Sequence, residues 1–231
     1  MFQGFSDETF EFFMAIRFNN NTDFFHANHD WYMRAVRKPC LALAEALGAT
    51  METIDPSIER RPNRIVSRIN RDIRFSRDKS PYRDCLWLSF RPTDADESGA
   101  PSFYFEVSAD GANYGMGYYR PGKPLMNALR RRIRTEPHLL SAALAPLDGR
   151  FVTAIDSYKR MPIPDDVPEA LRALYPVRGF YHFRDMNSFD LLKSPALLDT
   201  LIEDFNRLTP LYHYLRSLVP EPDTDATVER I

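Results

Sequence analysis

Residues 102–119 read SFYFEVSADGANYGMGYY, two alternating runs joined by an Asp-Gly pair. In the first run, Phe103, Phe105 and Val107 alternate with polar residues, which is the two-residue period of a strand with one buried face. An Asp-Gly pair between two such runs is a strong short-range signal for a hairpin turn. The stretch therefore predicts an antiparallel hairpin that turns at Asp110-Gly111.

The second face of this hairpin combines two glycines with two polar side chains. Gly115 and Gly117 fall on the same face as Tyr104 and Glu106. Strand glycines often mark the close approach of a ligand or of another backbone. One interpretation is a binding site beside a carboxylate and a phenol. The other is that Tyr104 simply covers a cross-strand glycine and stabilises the pair.

The segments outward from the hairpin complete the fold class. The runs CLWLSF (85–90), GRFVTAI (149–155) and RGFYHFR (178–184) read as further strands. Helical spacing of apolar residues predicts helices before and after them, including one that Pro39 opens and Gly48 ends. Helices, then a meander, then helices mixed with strands indicate an α+β fold: an antiparallel β-meander packed by N-terminal and C-terminal helices.

Length and composition suggest the domain organisation. Residues 1–220 are predicted to form a single α+β domain, because periodic segments run throughout them. The tail 221–231 is acidic and poor in apolar residues, so we expect it to be disordered.

The charge and the cysteines narrow the class of protein. A net charge of −2 gives no general attraction to nucleic acid or to anionic membranes. No apolar stretch approaches the ~20 residues of a membrane-spanning helix, and the N-terminus does not resemble a secretory signal. Cys40 and Cys85 have no metal-like spacing and are expected to be free thiols, which predicts a cytoplasmic protein.

A charged motif precedes the first strand. Residues 60–83 carry nine arginines and lysines against two aspartates, a local charge of +7. Such an excess raises the local concentration of anions. The spacing of Ile65, Ile69 and Ile73 fits a helix almost as well as it fits a strand. The secondary structure of residues 64–75 therefore stays open between helix and strand.

Two hypotheses follow from this motif. In the first, the protein binds, or catalyses a reaction on, a small anionic ligand. Arg71, Arg74 and Lys79 then converge on the phosphate or carboxylate of that ligand, since arginine forks and a lysine point charge suit a phosphate. The candidate ligand-binding residues are then Arg71, Asp72, Arg74, Asp78, Lys79, Tyr82, Tyr104 and Glu106. In the second, the same charges pair internally as a salt-bridge network in a non-catalytic interaction or scaffold protein. The catalytic residues and the oligomeric state stay undetermined.

The sequence has few signals for a metal site, a general base or a nucleic-acid interface. His26 and His29 stand three apart on a predicted helix, but no second cluster follows, so we expect no metal site and no cofactor. His182 is a lone strand histidine, which is more often a packing residue than a general base. We do not expect nucleic acid as a partner, because no recognised binding motif accompanies the aromatic and basic residues.

Four stretches together resemble one family. NNNTDFFHANHDWY, RINRDIRFSRDKSPYR, YFEVSADGANYGMGYYRP and LLKSPALLDTLIEDFNRLTPLYHYL are similar to the proteins grouped as domain of unknown function 2461. The resemblance spans roughly residues 4–219. RDIRFSRDKSPY (71–82) is its most specific part, and Phe24-Phe25 depart from an expected Trp-Phe pair. It implies a single domain and brings no established activity.

Overall fold

The computed structural model of the chain describes residues 2–74, 77–95, 99–118, 120–147 and 149–220. The tail 221–231, for which disorder is predicted, lies outside these residues.

Five strands form one antiparallel sheet, which confirms the α+β class. They are β1 (Cys85–Phe90), β2 (Ser102–Ser108), β3 (Gly111–Gly117), β4 (Val152–Ser157) and β5 (Val177–Met186). Their order in the sheet is β1-β2-β3-β5-β4. The three strands of the predicted meander are therefore neighbours, and β5 lies between β3 and the outer strand β4.

Helices occur on both sides of the strands in sequence. They are α1 (Asp7–Phe18), α2 (Thr22–Ala27), α3 (His29–Tyr32), α4 (Lys38–Ile54), α5 (Pro62–Ile65), α6 (Lys123–Thr135), α7 (Pro137–Leu144), α8 (Phe189–Leu192) and α9 (Ala196–Arg216). A π-helical turn, Met33–Arg37, joins α3 to α4. The prediction that Gly48 ends a helix is wrong, because α4 continues through it and buries Met51 and Ile54.

The hairpin turn differs slightly from the prediction. The two residues between β2 and β3 are Ala109 and Asp110, one position earlier than expected. The hydroxyl of Ser108 accepts a hydrogen bond from the Asp110 amide at 3.2 Å. Gly111 opens β3 with φ +128°, and a Cβ there would lie 2.7 Å from the Met186 carbonyl oxygen. Glycine is therefore required at this position by both its backbone angle and its neighbour.

The Cα positions group into two compact units that interleave along the chain. The first unit comprises the chain up to Phe90, Tyr104–Tyr114 and Arg184–Asp204. The second comprises Arg91–Phe103, Gly115–Phe183 and the chain from Phe205 onward. The prediction of one domain over residues 1–220 stays a prediction.

The core of the first unit is rich in aromatic rings. Phe5 stacks on Phe105 of β2 with ring centroids 5.9 Å apart, and Phe12 meets Trp31 edge to face at 5.3 Å. Asp204 is fully buried, and its Oδ2 accepts hydrogen bonds from Tyr114 and Arg184, both at 2.6 Å. Pairing of this kind is what a buried carboxylate requires.

The core of the second unit forms around the remaining parts of β2, β3 and α9. Phe103 stacks on Tyr212 at 5.0 Å, and the Tyr118 hydroxyl donates to the Leu215 carbonyl at 2.9 Å. Together with the burial of Phe105, Val107, Tyr114 and Met116, this confirms the predicted apolar face of the hairpin.

In the part of the chain that the structure describes, no helix has both the length and the apolar character needed to cross a membrane.

Candidate functional site

The charged motif forms a loop that folds back on itself. We call residues 64–74 and 77–84 the charged loop. Its two arms are antiparallel: Asn70 bridges Tyr82, and the Arg71 amide donates to the Pro81 carbonyl at 2.9 Å. At its base Val66 bridges Leu88 of β1. In the segment 64–75, left open between strand and helix, the first two residues end the short helix α5, and Val66 and Asn70 then form isolated antiparallel bridges. Residue 75 lies outside the described residues.

Tyr82 anchors the returning arm. Its side chain is 4% exposed and stacks on Phe25 of α2 with ring centroids 4.2 Å apart. Asn20 holds its backbone through two hydrogen bonds, one donated to the Tyr82 carbonyl at 2.9 Å and one accepted from its amide at 3.0 Å. Of the predicted ligand-binding residues, Tyr82 is therefore placed in the core, where it positions the loop.

Four of the predicted ligand-binding residues form two ion pairs with one another. Arg71 Nη1 donates to Asp78, and Arg74 Nη2 donates to Asp72 at 2.7 Å. The Arg74 guanidinium lowers the pKa of Asp72 to about 2. The pKa of Asp78 is also lowered, chiefly by hydrogen bonds from Ser80. Both aspartates are therefore ionised at neutral pH.

These two aspartates neutralise only part of the motif. Arg60 and Arg61 pair with Glu52 and Glu59, outside the loop. Among the described residues of the motif (60–74 and 77–83), five cations form no salt bridge with a carboxylate: Arg64, Arg68, Arg77, Lys79 and Arg83. The first four are exposed, and Lys79 Nζ donates to the Ile73 carbonyl at 2.8 Å. The segment thus presents a cationic surface, although through other residues than Arg71 and Arg74.

Arg83 connects the loop to the sheet. Its Nη1 donates to the carbonyls of Arg68 and Asn70, at 2.9 and 2.6 Å. Its guanidinium carbon lies 4.5 Å from the centroid of the Trp87 ring on β1, a cation–π distance. Arg83 is one of the nine basic residues of the motif, but it was not among the predicted ligand-binding residues. The feature that could have indicated its contact with the sheet is its position two residues before the first strand.

Tyr104 and Glu106 lie on β2 and take part in a polar row across the strands. The Tyr104 hydroxyl donates to Asn113 Oδ1 at 2.5 Å, and Asn113 Nδ2 donates to Asp185 Oδ1 at 2.6 Å. This row joins β2, β3 and β5 by side chains that lie far apart in sequence. Asn113 and Asp185 were not predicted, because a strand partner cannot be read from local spacing.

Glu106 pairs with a cysteine of the neighbouring strand. Burial raises the pKa of Glu106, and a hydrogen bond from the Cys85 thiol partly offsets that rise. Burial raises the pKa of Cys85 to about 12, with the negative charge of Glu106 adding to the effect. Because the thiolate is the reactive form, Cys85 is not an activated nucleophile at neutral pH.

The two glycines on the same face as Tyr104 and Glu106, Gly115 and Gly117, allow the backbone of the neighbouring strand to approach closely. A Cβ on Gly115 would lie 2.1 Å from the His182 carbonyl oxygen, and one on Gly117 would lie 2.3 Å from that of Phe180. Both carbonyls belong to β5. The close approach of β5 therefore accounts for both glycines, and the interpretation as a ligand site stays a prediction.

A protein-family model matches most of the chain. No curated protein matches the chain. A family model described as a conserved hypothetical protein matches residues 8–214, which include the charged loop, the hairpin and most of α9. The chain therefore belongs to the family DUF2461, as the resemblance predicts.

Proposed function

We propose that this protein binds a small anionic ligand, phosphate-bearing, at the charged loop. The observation that carries the proposal is the excess of positive charge: Arg64, Arg68, Arg77, Lys79 and Arg83 have no carboxylate partner among the described residues. Such a group of cations attracts anions, and the attraction weakens as salt is added.

The ion pairs of the loop support this role by holding the backbone. Asp78 binds both Arg71 and the Ser80 amide, and Asp72 binds the side chain and amide of Arg74. A backbone that is already ordered lowers the entropy cost of binding. Each charge-assisted hydrogen bond to a phosphate contributes on the order of 1.5–3 kcal/mol.

The proposal is for binding, without an assigned reaction. Cys85 stays protonated at neutral pH, and Glu106 is engaged with it. We also propose a cytoplasmic location, because Cys40 and Cys85 are both free thiols, as expected in a reducing compartment. Nucleic acid and membrane are not proposed as partners.

The alternative is an interaction or scaffold protein in which the loop is structural. It is favoured by the pairing of Arg71 with Asp78 and by the burial of Tyr82 against Phe25. Under this hypothesis no anion stabilises the protein, and the loop's role is to hold α2 and β1 together.

A thermal-shift titration at low salt separates the two. Inorganic pyrophosphate at about 100 times its dissociation constant stabilises the folded state by about 2.7 kcal/mol. For a chain of this size that is a rise in Tm of about 5–10 °C. The test variant is the double substitution Arg77→Gln and Lys79→Gln, both at exposed positions.

The matched control is the double substitution Lys159→Gln and Arg160→Gln, which removes the same charge from exposed positions outside the loop. We expect the shift to persist in the control and to disappear in the loop variant, while the Tm without ligand stays unchanged in both. Absence of a shift in the wild type, or an undiminished shift in the loop variant, would contradict the proposal.

A further inference from the structure

The cations of the charged loop that form no salt bridge fall into two groups along its length. One group lies at the base of the loop, where the outgoing arm bridges β1. The other group lies towards the tip, beyond the last paired position of the two arms. The base cations are Arg64, Arg68 and Arg83, and the tip cations are Arg77 and Lys79.

Paired backbone separates the two groups. The Arg83 amide donates to the Ile69 carbonyl at 2.8 Å, and the Arg71 amide donates to the Pro81 carbonyl at 2.9 Å. These two rungs are two residues apart along each arm, which is about 7 Å at the ~3.4 Å rise of a strand. Lys79 follows two residues beyond the second rung. The base cations and the tip cations therefore belong to opposite ends of a short ladder.

Hydrogen bonds hold a cationic group at each end of this ladder. At the base, Arg83 Nη1 donates to the carbonyls of Arg68 and Asn70 at 2.9 and 2.6 Å. At the tip, Lys79 Nζ donates to the Ile73 carbonyl at 2.8 Å. Both groups keep N–H donors that these bonds do not use, because an arginine or a lysine carries more donors than the bonds described. Each end can therefore bind an anion without giving up its position.

A cation from another element joins the base. Arg37, the last residue of the π-helical turn, donates from Nη1 to the Ser67 carbonyl at 2.9 Å and from Nη2 to Asn63 Oδ1 at 3.3 Å. These partners are neutral, so they do not compensate its charge. In the part of the chain that the structure describes, Arg37 forms no salt bridge with a carboxylate. The base is therefore more cationic than the sequence of the loop itself indicates.

We propose that the ligand of the charged loop is a linear chain of phosphates longer than pyrophosphate, an inference that rests on the function proposed above. Such a chain carries negative charge along its whole length, which complements cations at both ends of the ladder. A shorter anion held at the tip leaves the base cations without a partner. Arginine forks and a lysine point charge both suit the oxygens of a phosphate chain.

Isothermal titration calorimetry at low salt, comparing inorganic pyrophosphate with inorganic tripolyphosphate, tests the length of the chain. We expect the wild type to bind tripolyphosphate about tenfold more tightly, which corresponds to about 1.4 kcal/mol. If tripolyphosphate binds no more tightly than pyrophosphate, this inference is overturned and the function proposed above stands. If neither anion binds, both are overturned.

A variant of the base cations locates the added contact. The double substitution Arg64→Gln and Arg68→Gln changes two exposed positions. It should bind pyrophosphate as the wild type does and lose the additional affinity for tripolyphosphate. The charge-preserving variant Arg64→Lys and Arg68→Lys should keep most of that additional affinity. Full preference for tripolyphosphate in the glutamine variant would overturn the inference.

The matched control is again Lys159→Gln and Arg160→Gln, which removes the same charge from exposed positions outside the loop. It should keep the wild-type preference for tripolyphosphate. A loss of preference equal to that of the base variant would show a response to net charge alone and would overturn the inference. The Tm without ligand should be the same in all variants, since the substituted side chains are exposed.

Two further probes identify the source of the phosphate chain. Adenosine triphosphate carries the same chain on a nucleoside. Binding at least as tight as that of tripolyphosphate supports a nucleoside triphosphate as the ligand, and weaker binding supports an inorganic chain. An oligothymidylate that binds more tightly than either would assign the loop to single-stranded nucleic acid and overturn the inference.

Discussion

His182 makes the stability of this protein depend on pH. The side chain is 4% exposed on β5, and its Nδ1 lies 3.0 Å from Thr153 Oγ1 on β4. Its Nε2 is buried and has no hydrogen-bond partner among the residues that the structure describes. Burial lowers its pKa from the usual 6.5 to about 4, because the charged imidazolium is poorly solvated there. The folded protein therefore holds His182 neutral at a pH where the unfolded chain has already protonated it.

The size of the effect follows from these two pKa values. Since the unfolded state binds the proton more tightly, the contribution of His182 is fully present above a pH of about 6.5 and is lost as the pH falls towards 4. At about pH 4.5 the loss is about 2.5 kcal/mol, and below the folded pKa it approaches about 3.4 kcal/mol. That is a large share of the ~5–15 kcal/mol by which domains are stable.

Urea unfolding at pH 7.5 and at pH 4.5 measures this loss. Carboxylates also titrate in this range, so the informative quantity is the difference between variants. His182→Gln cannot protonate, and its free energy of unfolding should fall by about 2.5 kcal/mol less than that of the wild type between the two pH values. Thr153→Val keeps the imidazole and should retain the wild-type loss. Equal losses in the wild type and in His182→Gln would refute the reasoning.

Two further predictions concern stability away from this histidine. Arg74→Ala should leave the free energy of unfolding in urea nearly unchanged, because the Arg74 side chain is 76% exposed and surface ion pairs contribute little; a large loss of stability would show a buried network instead. Gly117→Ala should destabilise by about 3 kcal/mol or more, since its Cβ would lie 2.3 Å from the Phe180 carbonyl oxygen. Gly48→Ala is the control for this glycine substitution, because it meets nothing within 4 Å and should stabilise α4 by about 1 kcal/mol. Equal effects at the two glycines would contradict the close approach of β5.

The candidate site was only partly predictable from the sequence. The excess of positive charge over residues 60–83 could be counted directly. In the described part of the loop, several of these cations do lack a carboxylate partner. The pairing of Arg71 with Asp78 and of Arg74 with Asp72 could not be read off, because it depends on how the loop folds back. Those pairs move the exposed charge to Arg64, Arg68, Arg77, Lys79 and Arg83.

The sequence by itself determined the elements and their faces. The two-residue period of Phe103, Phe105 and Val107 sets which side of β2 is buried, because successive strand residues point to opposite faces. The tertiary structure decided what those local signals leave open. Gly115 and Gly117 are needed for the backbone of β5, and Gly48 lies inside a helix whose buried residues outweigh its poor propensity. The physical reason is that periodicity and propensity act over a few residues, whereas close packing and ion pairing join residues that only the folded chain brings together.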